Sequence, residues 1–145
     1  MAVPRIALVG ANGMLGRDVV AAFAHGHTVI TSELGAGDLP ADLLAPASLA
    51  SVLSSAQPDA VVNCAAYTNV ERAESEPDAA FALNATAVGI LARACDERRV
   101  PVCHISTDFV FDGTKAQRVL GITYTPVRAA IEEMVAQLRA ATPRE

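Results

Sequence analysis

The residues whose types and spacing could do chemistry lie in three short runs. The first, GANGMLG, sets Gly10, Gly13 and Gly16 at intervals of three, directly after the apolar run RIALV. A glycine triplet alone is a common pattern, but this one ends a predicted strand and opens a predicted helix. Backbone N–H groups and the positive end of the helix dipole then converge on one anion-sized spot. A dinucleotide pyrophosphate fits there; the alternative is a tight strand-to-helix turn that binds nothing. Asn12, Met14 and Leu15 belong to the same loop.

A nicotinamide dinucleotide needs a partner for its adenosine ribose hydroxyls, commonly an acidic residue about twenty positions beyond the glycines. Glu33, just after TVITS, is the candidate, and its alternative is an ordinary exposed loop carboxylate. Between Arg17 and Arg72 there is no Lys or Arg, which leaves little positive charge for a 2′-phosphate. The pattern favours NAD(H) over NADP(H), with Arg17 as the one cation that could reverse it. The second and third runs are NCAAYTNVERAESEP, from Asn63 to Pro77, and HISTDFVFDGT, from His104 to Thr114. In the third, Ser106 and Thr107 close an apolar strand at its C-terminal end, where open α/β sheets place their ligands.

The elements that must position these residues follow from hydrophobic periodicity. Arg5 to Gly10 reads as a strand buried on both faces. Met14 to His25 reads as a helix with Leu15, Val19, Val20 and Phe23 on one side, closed near Gly26 by a residue that tolerates positive φ. TVITS is a second strand, and the Gly-, Pro- and Asp-rich stretch from Leu34 to Pro46 is loop with a short edge strand near Asp42 to Leu44. A helix from Ala47 to Ala56 stops at Pro58, and DAVVNCAAY is the next strand. Pro77 opens a long helix reaching about Asp96, where its missing N–H costs nothing. VPVCHIS, from Val100 to Ser106, is another strand, and Thr125 to Ala141 an amphipathic helix with Val127, Ile131, Met134, Val135 and Leu138 on one side. Strands alternating with helices imply right-handed parallel crossovers and a doubly wound α/β sheet, in a single domain over residues 1–145.

Composition agrees. The chain is 52% hydrophobic but only 4% aromatic, so its core must be built from Ala, Val, Leu and Ile, as in parallel sheets flanked by Ala-rich helices. A net charge of −5 argues against nucleic acid, which needs clustered Lys and Arg. The three cysteines, Cys64, Cys95 and Cys103, are widely spaced and form no CxxC, so neither a metal site nor a disulfide framework is expected. A reducing cytoplasm fits that pattern. The N-terminus lacks the basic start of a signal peptide, and no run is expected to be long enough to cross a membrane.

The three runs together resemble the dTDP-4-dehydrorhamnose reductases, a family of extended short-chain dehydrogenase/reductases, over residues 1–114; Asn-Cys-Ala-Ala-Tyr-Thr and Ser-Thr-Asp-Phe-Val-Phe carry the likeness more specifically than the glycines. The resemblance implies a Rossmann-like sheet of about five strands in the order 3-2-1-4-5, with the edge strand near Asp42. It implies that Gly10, Gly13, Met14 and Leu15 line the pyrophosphate, that Asp42 and Leu43 sit by the adenine, and that Cys64, Ala65 and Ala66 border the nicotinamide-side ribose. Asn12, Gly16, Tyr67 and Ser106 complete the implied cofactor set. Thr107 matches the hydroxyl that helps orient the substrate carbonyl, with Asp108 beside it on the substrate side. The implied substrate is a nucleotide sugar, a dTDP-4-keto-6-deoxy sugar.

After the Thr107 strand the family continues through a Tyr-x-x-x-Lys helix and a substrate-binding lobe, and this sequence contains no Tyr-x-x-x-Lys. Residues 115–145 instead resemble the helical tail of extended reductases. Tyr124 stands four residues before Arg128, an imitation of the catalytic pair that Pro126 disrupts by interrupting the helix both side chains would share. Arg128 reads as a solvated helix-start charge, Lys115 as a loop lysine and His104 as a packed or hydrogen-bonded histidine. Reductase activity is therefore expected to be weak, lost or dependent on a partner. The strand from Val100 to Ser106 would leave an edge carrying Val102, Cys103 and Ile105, and a homodimer sharing this edge or the last helix is the expected remedy. The remaining alternatives are an active reductase completed by dimerisation and a non-catalytic interaction protein.

Overall fold

The structure, a computed structural model, describes residues 3–106. The strand β1 (Arg5–Val9) leads through the glycine loop into α1 (Met14–Phe23), and β2 (Thr28–Glu33) pairs parallel to β1. A two-residue strand, β3 (Ala36–Gly37), turns back antiparallel on β2. Then come α2 (Pro46–Ala56) and β4 (Ala60–Asn63), parallel to β1 on its other side. The short α3 (Val70–Ser75) precedes a continuous helical stretch made of α4 (Pro77–Phe81), a π-helical turn (Ala82–Thr86) and α5 (Ala87–Asp96). Finally β5 (Val102–His104) pairs parallel to β4, so the strand order is β3-β2-β1-β4-β5.

Strand alternation divides the core. Ala7, Val9 and Val61 join one buried cluster with Leu49, Val52 and Leu53 of α2 and Ala87, Leu91, Ala94 and Cys95 of α5. Ile6, Leu8 and Val62 occupy the alternate positions, also fully buried, and α1 packs on β1 and β2 through Val19 and Phe23. The doubly wound architecture and strand order agree with expectation.

Several boundaries do not. The edge strand is Ala36–Gly37 rather than Asp42 to Leu44, and it is antiparallel, so the sheet is mixed. Side chains explain the displacement. The Asp38 carboxylate accepts the Thr31 N–H and Oγ–H, both at 2.8 Å, and ties the returning chain to β2. Asp42 instead folds its own segment into a turn, accepting the Leu44 N–H at 2.9 Å on its side chain and the Ala45 N–H at 3.1 Å on its carbonyl. The first helix ends at Phe23 because the Phe23 carbonyl takes both the Gly26 and His27 N–H groups, while the His27 ring stacks edge-on against Phe23 at 5.0 Å. Gly26 itself does not adopt positive φ. Leu15 is exposed rather than packed, and Val20 is only half-buried. The strand expected from Asp59 to Tyr67 stops at Asn63, and β5 keeps only three half-buried residues of the seven expected from Val100 to Ser106. The helix expected from Thr125 to Ala141 lies outside the described residues.

Contrary to expectation, the stretch Pro77–Asp96 is long and apolar enough, with a mean hydropathy of 1.2, to cross a membrane by length and composition. Its apolarity has a local use, since Ala87, Leu91, Ala94 and Cys95 fill the core shared with α2 and the sheet. Truncating that core is therefore costly: Leu91→Ala should lower stability by about 3 kcal/mol. Phe81→Ser, at an exposed position, should shift it by less than about 0.5 kcal/mol. Urea unfolding of the two variants checks this contrast.

Candidate functional site

The C-terminal ends of β1 and β4 lie side by side at the centre of the sheet, and from them the chain departs to opposite faces. Such a reversal opens a crevice above the strand ends. Gly10 leaves β1 with φ +80°, a left-handed conformation natural to glycine. A Cβ there would overlap the Ala65 nitrogen and lie 2.7 Å from the Cys64 carbonyl carbon, so the two backbones meet with no side chain between them. Gly16 serves a second close approach: a Cβ on it would overlap the Gly10 carbonyl oxygen and sit 2.8 Å from Ala11 Cα, which brings α1 tight against the loop.

Gly13 differs. Its backbone is extended (φ −66°, ψ 166°), and an added Cβ would meet only the Gly10 carbonyl oxygen, at 3.4 Å. Its bare side faces open space. The residues around it, Asn12, Gly13, Met14 and Leu15, are exposed, Met14 to 88%. The first turn of α1 has no side-chain cap and no acidic residue, so the positive end of the helix is available to an anion. The three glycines thus divide their tasks into tight turn, open approach and helix packing.

Glu33 is the last residue of β2, not a free loop carboxylate: its Oε1 accepts the Asn12 N–H at 2.6 Å. Glu33 and the glycine loop are therefore in contact. Asp42 is exposed beside α2, with its N–H donated to Ser48 Oγ at 3.0 Å, whereas the Leu43 side chain is part of the core. Cys64, Ala65, Ala66 and Tyr67 form a half-buried loop above β4, opposite the glycine loop. Ser106 is exposed just past the end of β5, while Thr107, Asp108 and Tyr124 lie outside the described residues.

Several titratable groups near this rim are shifted by their surroundings. Burial, with a smaller contribution from Cys103, pushes the Cys64 thiol up to about 11, so it stays protonated at neutral pH. Tyr67 donates its phenol to Glu76 Oε2 at 2.7 Å, and that hydrogen bond raises its pKa, with lesser contributions from burial and the Glu76 charge. Glu76 in turn is held below the usual carboxylate range, first by Arg72 at 2.7 Å and then by Tyr67. His104 is lowered by burial.

A family model described as the RmlD substrate binding domain matches residues 4–137. The chain belongs to that family. It is 42% identical over 112 residues to the dTDP-4-dehydrorhamnose reductase of Burkholderia thailandensis, covering 77% of this chain and 36% of that protein. It is 43% identical over 113 residues to a probable low-salt glycan biosynthesis reductase, Agl14, of Haloferax volcanii, covering 73% and 38%. A crystal structure of dTDP-4-dehydrorhamnose reductase from Bacillus anthracis in complex with NADP matches with a TM-score of 0.70 at 29% identity, over 78% of this chain and 39% of that one. The chain spans between 36% and 38% of the length of these two curated relatives.

Two supporting side chains in this RmlD-family chain, Asn63 and Asn84, have no role in the sequence reading. Asn63, only 1% exposed, accepts the Ala65 N–H on Oδ1 at 3.0 Å, and its Nδ2 meets His104 Nδ1 at 3.1 Å. His104 is thereby hydrogen-bonded, as expected, but in the site's support. Asn84, in the π-helical turn, clamps the Tyr67 main chain through Oδ1 to N–H at 2.7 Å and Nδ2 to C=O at 3.0 Å. The available signal was a lone amide ending the apolar run AVV, and another inside an Ala-rich helix.

The glycine geometry predicts a contrast in stability. Gly10→Ala must strain φ and overlap Ala65, at a cost of about 3 kcal/mol or more, whereas Gly13→Ala should fold within about 0.5 kcal/mol of wild type; thermal unfolding of the pair measures both. A pH effect follows from His104. Its folded pKa is depressed below the ordinary value of 6.5, so the unfolded chain binds its proton first. The contribution is fully present above about pH 6.5 and is lost as pH falls through the lowered folded value. In urea unfolding across pH 4–8, His104→Gln should flatten that acid limb.

Proposed function

We propose that this chain binds a nicotinamide dinucleotide above the C-terminal ends of β1 and β4, as the nucleotide-holding part of a dTDP-4-keto-sugar reductase. We further propose that these 145 residues do not by themselves complete the reduction. The observation that carries the binding reading is the division of labour among Gly10, Gly13 and Gly16: two are fixed by close backbone contacts and the third leaves an open face at an uncapped helix end. Gly10 to Leu15 would receive the pyrophosphate, Glu33 the adenosine ribose hydroxyls, and the Cys64 to Tyr67 loop the nicotinamide-side ribose. Asp42 stands by the adenine. A carboxylate at the end of β2 repels a 2′-phosphate, which supports NAD(H) over NADP(H), with the NADP complex of the Bacillus anthracis relative making NADPH the competitor to test.

Bound there, the cofactor would supply a hydride. The carbonyl oxygen that receives it also needs a proton, and none of the described residues is poised to give one. Tyr67 is committed to Glu76 with a raised pKa, Cys64 titrates at about 11, and His104 Nδ1 faces the Asn63 amide. Thr107 offers a hydroxyl able to orient a carbonyl but too weak an acid to protonate it. A second reading, turnover with a tyrosine and lysine supplied by another chain, is favoured by the 42% identity to the Burkholderia reductase. Self-association through β5 belongs to that reading.

Calorimetric titration of the chain should show NADH binding tighter than NADPH, with Glu33→Gln narrowing the gap. Gly13→Val should weaken NADH by at least about tenfold, or roughly 1.4 kcal/mol, while leaving the fold intact. A folded wild type that binds neither cofactor overturns the reading. Steady oxidation of NADH by a dTDP-4-keto-6-deoxy sugar, abolished in Tyr124→Phe, would show instead that the chain completes its own site.

A further inference from the structure

The inner strand β4 is apolar except at its last residue. Ala60, Val61 and Val62 are fully buried, and Asn63 is buried with them. A carboxamide in that position is costly unless both its ends are hydrogen-bonded, and here both are. Oδ1 accepts the Ala65 N–H at 3.0 Å, and Nδ2 lies 3.1 Å from Nδ1 of His104, the residue directly across from it on β5. The Ala65 N–H is a donor only, so it fixes which end of the amide is the oxygen. The other end, facing His104, must be the NH2 group. His104 Nδ1 must then be an unprotonated acceptor, with the ring neutral and its proton on Nε2.

We propose that Asn63 and His104 form a positioning pair that sets the separation between the two loops of the dinucleotide site. The Ala65 nitrogen held by Asn63 is the same atom against which Gly10 packs, since a Cβ on Gly10 would overlap it. Displacing the Cys64–Ala65 peptide therefore displaces the start of the glycine loop. The order of contacts runs from His104 to Asn63, from Asn63 to Ala65, and from Ala65 to Gly10. Neither member of the pair is assigned a ligand contact. His104 holds Asn63 in the one orientation that presents Oδ1 to Ala65, and the Ile105 N–H, bonded to the Asn63 carbonyl at 3.0 Å, keeps β5 in register beneath it. The inference rests on the dinucleotide reading for its functional consequence, and on hydrogen bonding alone for its structural one.

Four measurements on the full chain separate these levels. In 15N spectra of the wild-type imidazole above its pKa, His104 should be the Nε2–H tautomer; a protonated Nδ1 overturns the pairing. In amide exchange, Ala65 should be protected in wild type and exchange at least about tenfold faster in His104→Leu relative to β1 amides. His104→Gln, whose Oε1 can still accept from Asn63, should restore that protection. NADH affinity should follow the same order, about tenfold weaker in His104→Leu and Asn63→Leu and near wild type in His104→Gln. Asn63→Asp should raise the His104 pKa, because a carboxylate in place of the amide favours the imidazolium. A folded His104→Leu with unchanged Ala65 exchange and unchanged affinity overturns the proposal. Should the leucine variant not fold, loss of Ala65 protection in His104→Gln overturns it instead. If wild type binds no dinucleotide, the functional reading fails, while tautomer and exchange still decide whether the pair holds Ala65.

Discussion

At Gly10 the main chain leaves β1 with φ +80°, and the absence of a side chain lets the Ala65 nitrogen come into direct contact with it. Most of the site depends on this contact between two backbones. Gly10 also donates its N–H to the Ser32 carbonyl at 3.2 Å, so one residue touches the ends of β2 and the loop above β4 while it terminates β1. Gly16 closes over its carbonyl oxygen from α1. Four segments therefore share a single junction, and a methyl group at its centre would part them. The open face at Gly13 exists because its neighbours on either side are pinned.

Charge at this rim is arranged with the same economy. The first turn of α1 carries neither a cap nor a carboxylate, yet Glu33 reaches across from β2 to accept the Asn12 N–H at 2.6 Å. On the reading proposed above, a carboxylate so placed would accept from ribose hydroxyls and disfavour a phosphate among them. It also braces the loop from the side opposite Ala65. Between Arg17 and Arg72 the sequence has no Lys or Arg, so within that stretch Arg17, whose backbone N–H bonds the Gly13 carbonyl at 3.1 Å, is the cation nearest the loop.

The parts of this fold that sequence could show are those governed by long apolar periodicity. β1, α1, β2, α2, β4 and the helix opened by Pro77 all begin within about one residue of where their patterns put them, and the glycine spacing named its loop. What escaped was decided by single polar side chains acting at a distance. Asp38, seven residues from Thr31, chose the edge strand; Asp42 turned its own segment away from the sheet. Asn63 ended β4 by capturing Ala65 two residues on, where apolar periodicity alone would have carried the strand further. A carboxamide in a strand reads the same whether it will be bonded or not, and only the neighbouring strand supplies the histidine that explains it. The membrane-like hydropathy of Pro77–Asp96 is the converse case, in which a pattern is real but its buried side meets α2 and the sheet.

Among the described residues no buried side-chain nitrogen or oxygen lacks a hydrogen-bond partner. That completeness bears on function. Tyr67 is spent on Glu76, Asn84 on the Tyr67 main chain, Asn63 on Ala65 and His104, and Thr31 on Asp38. A group already bonded in its resting state must break that bond before it can transfer a proton, so these side chains favour rigidity over reactivity. Rigid, saturated strand ends are suited to presenting backbone N–H groups and one carboxylate at fixed positions. They are poorly suited to acid–base work, which requires a titratable group held near the operating pH with its proton still to give. This saturation supports the proposed reading, in which the described residues hold the dinucleotide and the proton for the carbonyl comes from an acid outside them.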